Sequence, residues 1–458
     1  MTKPSYLNRA KAALQRARYL GIKPSVAIAR NELHLLGGRA RTQLHSDHVR
    51  NGGLTEFQLI INRDEQVSKA GQAYSEGRYA ASVEHSIAAA ETTADARRQL
   101  GMDQLPIRIC GTSITSAIGH IAVGLGTRAK LQALGLAEPV QTLVITSRVA
   151  NIHYLSYFEE LFTIDQVSWS IEQDLYQRIW PLFTDINWID TDERPMALYE
   201  AMALAEEGWE SQARGPLLAL SDLDRERGFN YFAELGMTPA DWFVTLHVRS
   251  DPKSGQEYGR NANVHDYAQA IDAITAQGGW VIRLGSADMP ALAARPHLID
   301  LSLDPHRPNW VDVFAIGGCK FFIGTTSGPH AAASSFGRPV LLTNATGIGF
   351  SPYMHHTRVI PKLLRRQGSG QVMSIPEFAQ SGAALVDGHL PADLSHGSDP
   401  WVWRDNSPVE LREATQEMLN GEFEHPSDEQ QRAYQQLMLQ LGSLAASAPS
   451  PFFLRQHQ

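Results

Sequence analysis

The run Trp242-Phe-Val-Thr-Leu-His-Val-Arg249 is apolar and rich in β-branched residues, and it ends on a histidine and an arginine. It reads as a buried strand feeding a polar loop that starts His247-Val248-Arg249-Ser250-Asp251 and carries Lys253, Ser254, Gly255, Arg260, Asn261 and Asn263. Arginine presents a planar, permanently charged donor fork suited to phosphate. Open α/β sheets build anion sites where strand ends deliver such residues into a crevice. A second strand end follows at Phe321-Phe-Ile-Gly-Thr-Thr-Ser-Gly328 and opens a helix of small residues. Free backbone N–H groups and the dipole at a helix start make an anion cradle. Thr325, Thr326 and Ser327 add hydroxyls there, and Gly328 permits close approach. Two such ends in one domain imply a nucleotide-diphosphate ligand.

Other residues qualify as candidates. Arg283 lies near the end of the strand Trp280–Leu284, just before Gly285. An ion pair within the fold is its alternative role. Arg260 can reach an anionic or sugar group, whereas Asn263 either joins it or caps the helix that follows. Asp312 either complements a helix start or contacts a ribose or base. His120 follows a strand and the hydroxyl-bearing Thr112, Ser113, Thr115 and Ser116. Its near-neutral titration suits a general base for an attacking hydroxyl, and a helix-face histidine is the alternative. His355-His356 has no carboxylate company, so no metal site is expected. No Walker loop or Gly-x-Gly-x-x-Gly occurs. This argues against the ATPase and dinucleotide-dehydrogenase readings, and metal-independent chemistry with no cofactor is expected.

The elements that must position these residues alternate between strand and helix. Pro106–Ser113, Thr142–Thr146 and Asn187–Asp190 supply strands of one α/β domain. Phe243–Val248, Trp280–Leu284, Leu298–Leu301, Phe321–Gly324 and Pro339–Leu342 supply those of a second, with helices near 264–277 and 330–335. Such alternation implies parallel βαβ units. Gly278-Gly279 punctuates a helix end. Residues 1–105 read as a helical extension. Within it, Ala73–Tyr79, Ser82, His85 and Ala88 are similar to one tetratricopeptide hairpin. Asn406-Ser-Pro408 starts a closing helix, and another is expected near 427–441. The expected division is 1–105 helical, 106–240 first α/β domain, 241–400 second α/β domain and 401–458 closing helices.

The 458 residues carry a net charge of −9 and are 43% hydrophobic, which argues against nucleic acid as a general partner. Residues 1–50 hold ten Lys/Arg against two Asp/Glu, leaving the remainder near −17. That basic segment implies either a solvated helical face or peripheral contact with a membrane or acidic partner. The two cysteines, Cys110 and Cys319, make neither a disulfide framework nor a metal cluster. A cytoplasmic protein without a transmembrane segment or secretory signal is expected.

Leu246-His-Val-Arg249 with its loop and a following tyrosine helix resembles the His-x-Arg region of GDP-fucose-using fucosyltransferases. Phe321–Gly328 resembles their late donor-binding strand. The set Ile118-Gly-His120, His247-Val-Arg249, Arg260-Asn261, Val281–Gly285, Phe322–Gly328 and Asn406-Ser-Pro408 resembles a poorly characterised family of bacterial glycosyltransferases, over residues 105–420. One departure is spacing: Asp251 lies two residues after Arg249, not three. The resemblance implies a GT-B fold, with two Rossmann-like domains facing a cleft. It implies that the C-terminal domain holds a nucleotide sugar (a GDP-sugar on the fucosyltransferase likeness) and that the N-terminal domain holds a protein or glycan acceptor. Closing helices would return to the N-terminal domain, and transfer would invert. Two rival readings are a non-catalytic nucleotide- or sugar-binding scaffold with a docking arm, and a sugar-nucleotide epimerase, which would need a cleft carboxylate pair.

Overall fold

The computed structural model describes residues 56–75, 78–99, 107–137, 140–145, 148–166, 188–191, 195–251, 258–347, 357–381, 383, 388–421, 433, 436 and 448–457. The basic segment 1–50, Lys253–Gly255, His355-His356 and most of the helix expected at 427–441 lie outside the described residues. The chain divides into two compact units. One comprises Met1–Thr115, Gly135–Arg148 and Phe158–Ala197, and the other Ser116–Leu134, Val149–Tyr157 and Leu198–Gln458.

The first unit contains a parallel sheet of β1 (Ile107–Cys110), β2 (Thr142–Ile145) and β3 (Thr163–Gln166), in that order. Its helices Glu56–Ser75 and Tyr79–Gln99 form a hairpin. Buried Ala70, Ala73, Ala89 and Ala90 let the two helices approach closely. Ser82 Oγ donates to the Ala70 carbonyl at 2.9 Å, and His85 Nδ1 meets Gln66 Oε1 at 2.9 Å. The second helix packs on the antiparallel pair β4 (Trp188–Asp190) and β5 (Pro195–Ala197). The described part of the extension is therefore built into the first unit and does not stand apart as an arm.

The second unit is organised by a seven-stranded sheet in the order β14-β11-β10-β9-β6-β7-β8, parallel throughout. The strands are β6 (Phe243–His247), β7 (Trp280–Leu284), β8 (Leu298–Asp300), β9 (Phe322–Gly324), β10 (Val340–Ala345), β11 (Thr357–Pro361) and β14 (Ala448–Pro449). Near-continuous burial along β6, β7, β9, β10 and β11 fits a parallel sheet covered on both faces. The chain winds from β6 outward through β7 to β8. It then returns to β9 on the other side of β6 and winds outward through β10 and β11. The order reverses between β6 and β9, and ligands of open α/β sheets bind beyond the carboxyl ends of the strands at such a switch point.

The units differ from the expected division at 105, 240 and 400: residues 116–134, 149–157 and 198–240 of the expected first α/β domain sort with the second unit, and neither 1–105 nor 401–458 forms a unit of its own. The helix Ile118–Leu134 leaves β1 but packs on the helices Gly328–Ser335 and Leu198–Ser211, within the second unit. The described C-terminal segments also close onto their own sheet. β13 (Trp401–Arg404) pairs with β12 (Leu363–Arg366), β14 pairs with β11, and the helix Pro408–Leu419 packs on the helix Ala268–Ala276. The described closing segments, expected to return to the first domain, are thus fastened to the second.

That fastening is polar and buried. Asn344, in a left-handed conformation at φ 47°, exchanges two hydrogen bonds with Asn406. Asn406 Nδ2 also donates to the Pro361 carbonyl, and Asn344 Nδ2 donates to Tyr267 Oη. The N-cap of the closing helix is Ser407, with Glu410 completing a capping box. Asn406 of the Asn-Ser-Pro motif is thereby explained as a structural residue.

Candidate functional site

The two strand ends singled out by sequence are neighbours. His247 is in register with Gly324 across the β6–β9 pair, at the switch point. The Thr325 N–H donates to the His247 carbonyl at 3.2 Å. In return the Arg249 N–H donates to Thr325 Oγ1 at 3.0 Å. The two ends are stitched by their own backbones, so His247, Arg249 and Thr325–Gly328 form one polar rim.

Hydrogen-bond bookkeeping fixes the states of two histidines. Ser327 Oγ donates its only proton to the Thr325 carbonyl at 3.0 Å. His247 Nδ1, 3.0 Å from that oxygen, must therefore carry the proton. The Ser327 N–H donates to His330 Nδ1 at 3.3 Å, which leaves the proton of His330 on Nε2. His330 is 6% exposed, and its Nε2 is buried without a hydrogen-bond partner. Burial pushes both imidazoles down to about 4, helped at His247 by the Arg283 guanidinium and at His330 by Arg260. Both are neutral at pH 7. An orphaned buried donor costs about 1–3 kcal/mol. Sequence reading passed over His330, treating it only as an early helix residue. The signal it missed is a histidine at the third helical position, where a side chain can reach back to the cap.

The loop after β6 returns to the same rim. Arg260 Nε and Nη2 both donate to the Thr326 carbonyl, at 3.2 and 3.1 Å. Thr326 Oγ1 in turn ties to the backbone of Thr346. Arg249 Nη2 reaches Asp251 Oδ2 at 3.2 Å, and its guanidinium lies 5.6 Å from the Tyr258 ring centre.

The remaining candidates are placed differently. Arg283, fully buried, pairs with Asp300 at 2.8 Å and with Ser302 at 2.7 Å, while its Nε and Nη2 have no partner. It sits one strand from β6, in register with Leu246. Asp312 is held by Arg307 at 2.7 Å, and Arg307 Nη2 donates to the Gly285 carbonyl at 2.8 Å. Gly285 and Asp312 are thus joined through Arg307, a residue the sequence reading did not name. Burial pushes the Asp312 carboxyl up despite Arg307. The Asn263 side chain is spent on capping: it accepts from the His265 N–H and donates to Asp266. Among the described residues, no three His, Cys, Asp or Glu side chains gather as a metal-ligand group. Cys110 and Cys319 are buried and not joined in a disulfide.

His120 reaches this end through its helix. Its neighbour Gly119 lies against Gly328, so closely that a Cβ on Gly119 would fall 2.4 Å from the Gly328 Cα. The starts of the helices Ile118–Leu134 and Gly328–Ser335 therefore meet backbone to backbone, and His120 is exposed beside that contact.

No protein-family model matches the chain, and no curated protein does. Among solved structures it is similar to the ADP-heptose lipopolysaccharide heptosyltransferase II of E. coli, at 15% identity and a TM-score of 0.40, over 69% of this chain and 99% of that one. It is similar to a family 9 glycosyltransferase of Veillonella parvula at 12% identity and a TM-score of 0.33, over 56% and 85%. It is also similar to the iron-containing dodecameric glycosyltransferase TibC of enterotoxigenic E. coli at 16% identity and a TM-score of 0.33, over 55% and 61%. No described helix is long and apolar enough to cross a membrane.

Proposed function

We propose that the chain is a metal-independent glycosyltransferase of GT-B type, taking a nucleotide-diphosphate sugar at the carboxyl ends of β6 and β9. The observation that carries this reading is the rim itself. The switch point of a parallel sheet gathers Arg249, Arg260, His247, the hydroxyls and helix start of Thr325–Gly328, and the unsatisfied His330 Nε2–H. Departure of a nucleoside diphosphate builds negative charge on the leaving oxygens. Donors fixed in advance stabilise that charge without reorganising. Arg249 supplies the cation, the helix start supplies backbone N–H groups, and His330 supplies a neutral donor.

Arg283 sits behind this rim and acts through its charge on His247. Gly285 and Asp312, joined by Arg307, flank the β7 side where the nucleoside would lie. His120 is the proposed base for the acceptor hydroxyl, the acceptor being a protein or glycan. The enzyme would act in the cytoplasm, its basic residues 1–50 contacting an acidic partner or membrane surface.

The test is a thermal-shift screen of GDP-, ADP-, UDP- and CDP-sugars on the whole chain, with and without Arg249→Ala. A nucleotide sugar at 100 times its dissociation constant adds about 2.7 kcal/mol of stability. Because a charge-assisted contact is worth about 1.5–3 kcal/mol, Arg249→Ala should weaken the best binder roughly tenfold or more. No stabilisation by any nucleotide sugar, or an unchanged affinity in Arg249→Ala, refutes the reading.

A further inference from the structure

Arg249 is an arginine on a loop, yet its backbone is pinned from behind. Its carbonyl accepts from the Ala262 N–H at 3.0 Å. Two residues on, Asp251, which holds the Arg249 guanidinium, is bracketed by one side chain. Asn261 Oδ1 accepts from the Asp251 N–H at 3.1 Å, and Asn261 Nδ2 donates to the Asp251 carbonyl at 3.0 Å. The placement of Arg249 thus depends on where Asn261–Asn263 lies.

That segment is clamped at both ends by one ion pair whose lysine is buried. Lys362, 1% exposed, donates from Nζ to the Asn261 carbonyl at 2.6 Å and pairs with Asp405 Oδ1 at 2.7 Å. Asp405 Oδ2 accepts from the Asn263 N–H at 3.2 Å. Lys362 is itself anchored to the sheet, since its own N–H donates to the Ala345 carbonyl at 2.9 Å. Burying an ammonium is expensive, and tying down a surface turn does not require one. A carbonyl and an amide two residues apart can be capped by water or backbone. Here a buried charge takes the carbonyl, and its counter-ion takes the amide.

We propose that Lys362 and Asp405 are positioning residues for Arg249: the pair holds Asn261–Asn263, Asn261 brackets Asp251, and Asp251 aims the guanidinium at the strand-end rim. The inference rests on the reading of Arg249 as the diphosphate contact.

The experiment uses the full chain and inorganic pyrophosphate, with dissociation constants from calorimetry for the wild type, Arg249→Ala, Lys362→Met, Arg249→Ala with Lys362→Met, Lys362→Arg and Asp405→Asn. The expected result is a roughly tenfold weakening in Arg249→Ala and a threefold to tenfold weakening in Lys362→Met. In the Arg249→Ala background, Lys362→Met should add less than twofold, because the residue it positions is gone. Lys362→Arg should recover most of the loss.

If the two losses multiply, or if Lys362→Met folds and binds as the wild type does, the positioning role is overturned while the reading of Arg249 stands. If Arg249→Ala itself binds pyrophosphate normally, that reading falls and this inference with it. Should Lys362→Met fail to fold, Asp405→Asn carries the test, since Asp405 is one-third exposed and the change keeps its shape. Its loss must likewise vanish in the Arg249→Ala background, and a loss that persists there overturns the proposal.

Discussion

Replacing Asp300 with asparagine should destabilise the second unit severely and show what Arg283 costs the fold. Arg283 is completely buried, and Asp300 supplies its only counter-charge among the described contacts. The same carboxylate accepts from Ser302 Oγ and from the backbone N–H groups of Leu292 and Ser302, so it also closes the turn after β8. Removing one partner of a buried pair costs about 3–5 kcal/mol, because the other charge stays buried and uncompensated. The Nε and Nη2 of Arg283 already lack partners, so no redundancy absorbs the loss. Urea unfolding followed by tryptophan fluorescence reads the change as a shift in midpoint at constant slope. A paired replacement, Arg283→Met with Asp300→Asn, should recover much of the stability, because the uncompensated charge is gone and the asparagine Oδ1 still accepts at the turn. A loss below about 1 kcal/mol for Asp300→Asn, against the 3–5 expected for a buried pair, would refute the compensation argument. The linkage has a definite sign. Burial opposes ionisation of Asp300, but bonds from Ser302, the Leu292 N–H and Arg283 outweigh it and hold the carboxyl below its ordinary value. A depressed carboxylate stabilises the fold above its unfolded pKa, about 3.9. The contribution is lost as pH falls below that value through the folded one.

Gly328→Ala would set a Cβ 2.6 Å from the Gly119 nitrogen. It should cost about 1–3 kcal/mol, with weaker pyrophosphate binding by calorimetry. His247 and His330, neutral down to about 4, should make stability fall as pH drops from about 6.5 toward 4. His330→Asn should flatten that slope in acid-titrated urea melts, and an unchanged slope would remove His330 from the account. EDTA should leave transfer intact, and loss restored by Mg²⁺ or Mn²⁺ would end the metal-independent reading. Deleting residues 56–99 removes the helix packed on β4 and β5. It should lower the first unit's melting temperature, and a deletion mutant with wild-type melting would show the hairpin to be dispensable.

The strand ends were legible because a buried parallel strand is a continuous apolar run, and the polar residues just past it stand out. Phe243–His247 and Phe322–Gly324 were found that way, within one residue of their ends. Their adjacency was not legible, since strand order is decided by crossovers that no local pattern encodes. Arg283 looked like a ligand contact because its partner, Asp300, lies on another strand and pairs only through register. Asn263 and Asp312 were named for their chemistry, but side chains a few residues away capture both. The crossover helix Ile118–Leu134 sorts with the second unit through small residues, Gly119 above all, and small residues carry little sequence signal.

The contact between Gly119 and Gly328 has an electrostatic consequence. Each lies at the first or second residue of its helix, so two positive dipole ends, worth about half a charge each, abut with no side chain between them. Like poles held at backbone contact repel, and the packing of two helices keeps them there. The two helix starts therefore set up a positive field at this point, which an anion would relieve. Sensitivity to ionic strength should concentrate here rather than spread across the −9 of the whole chain.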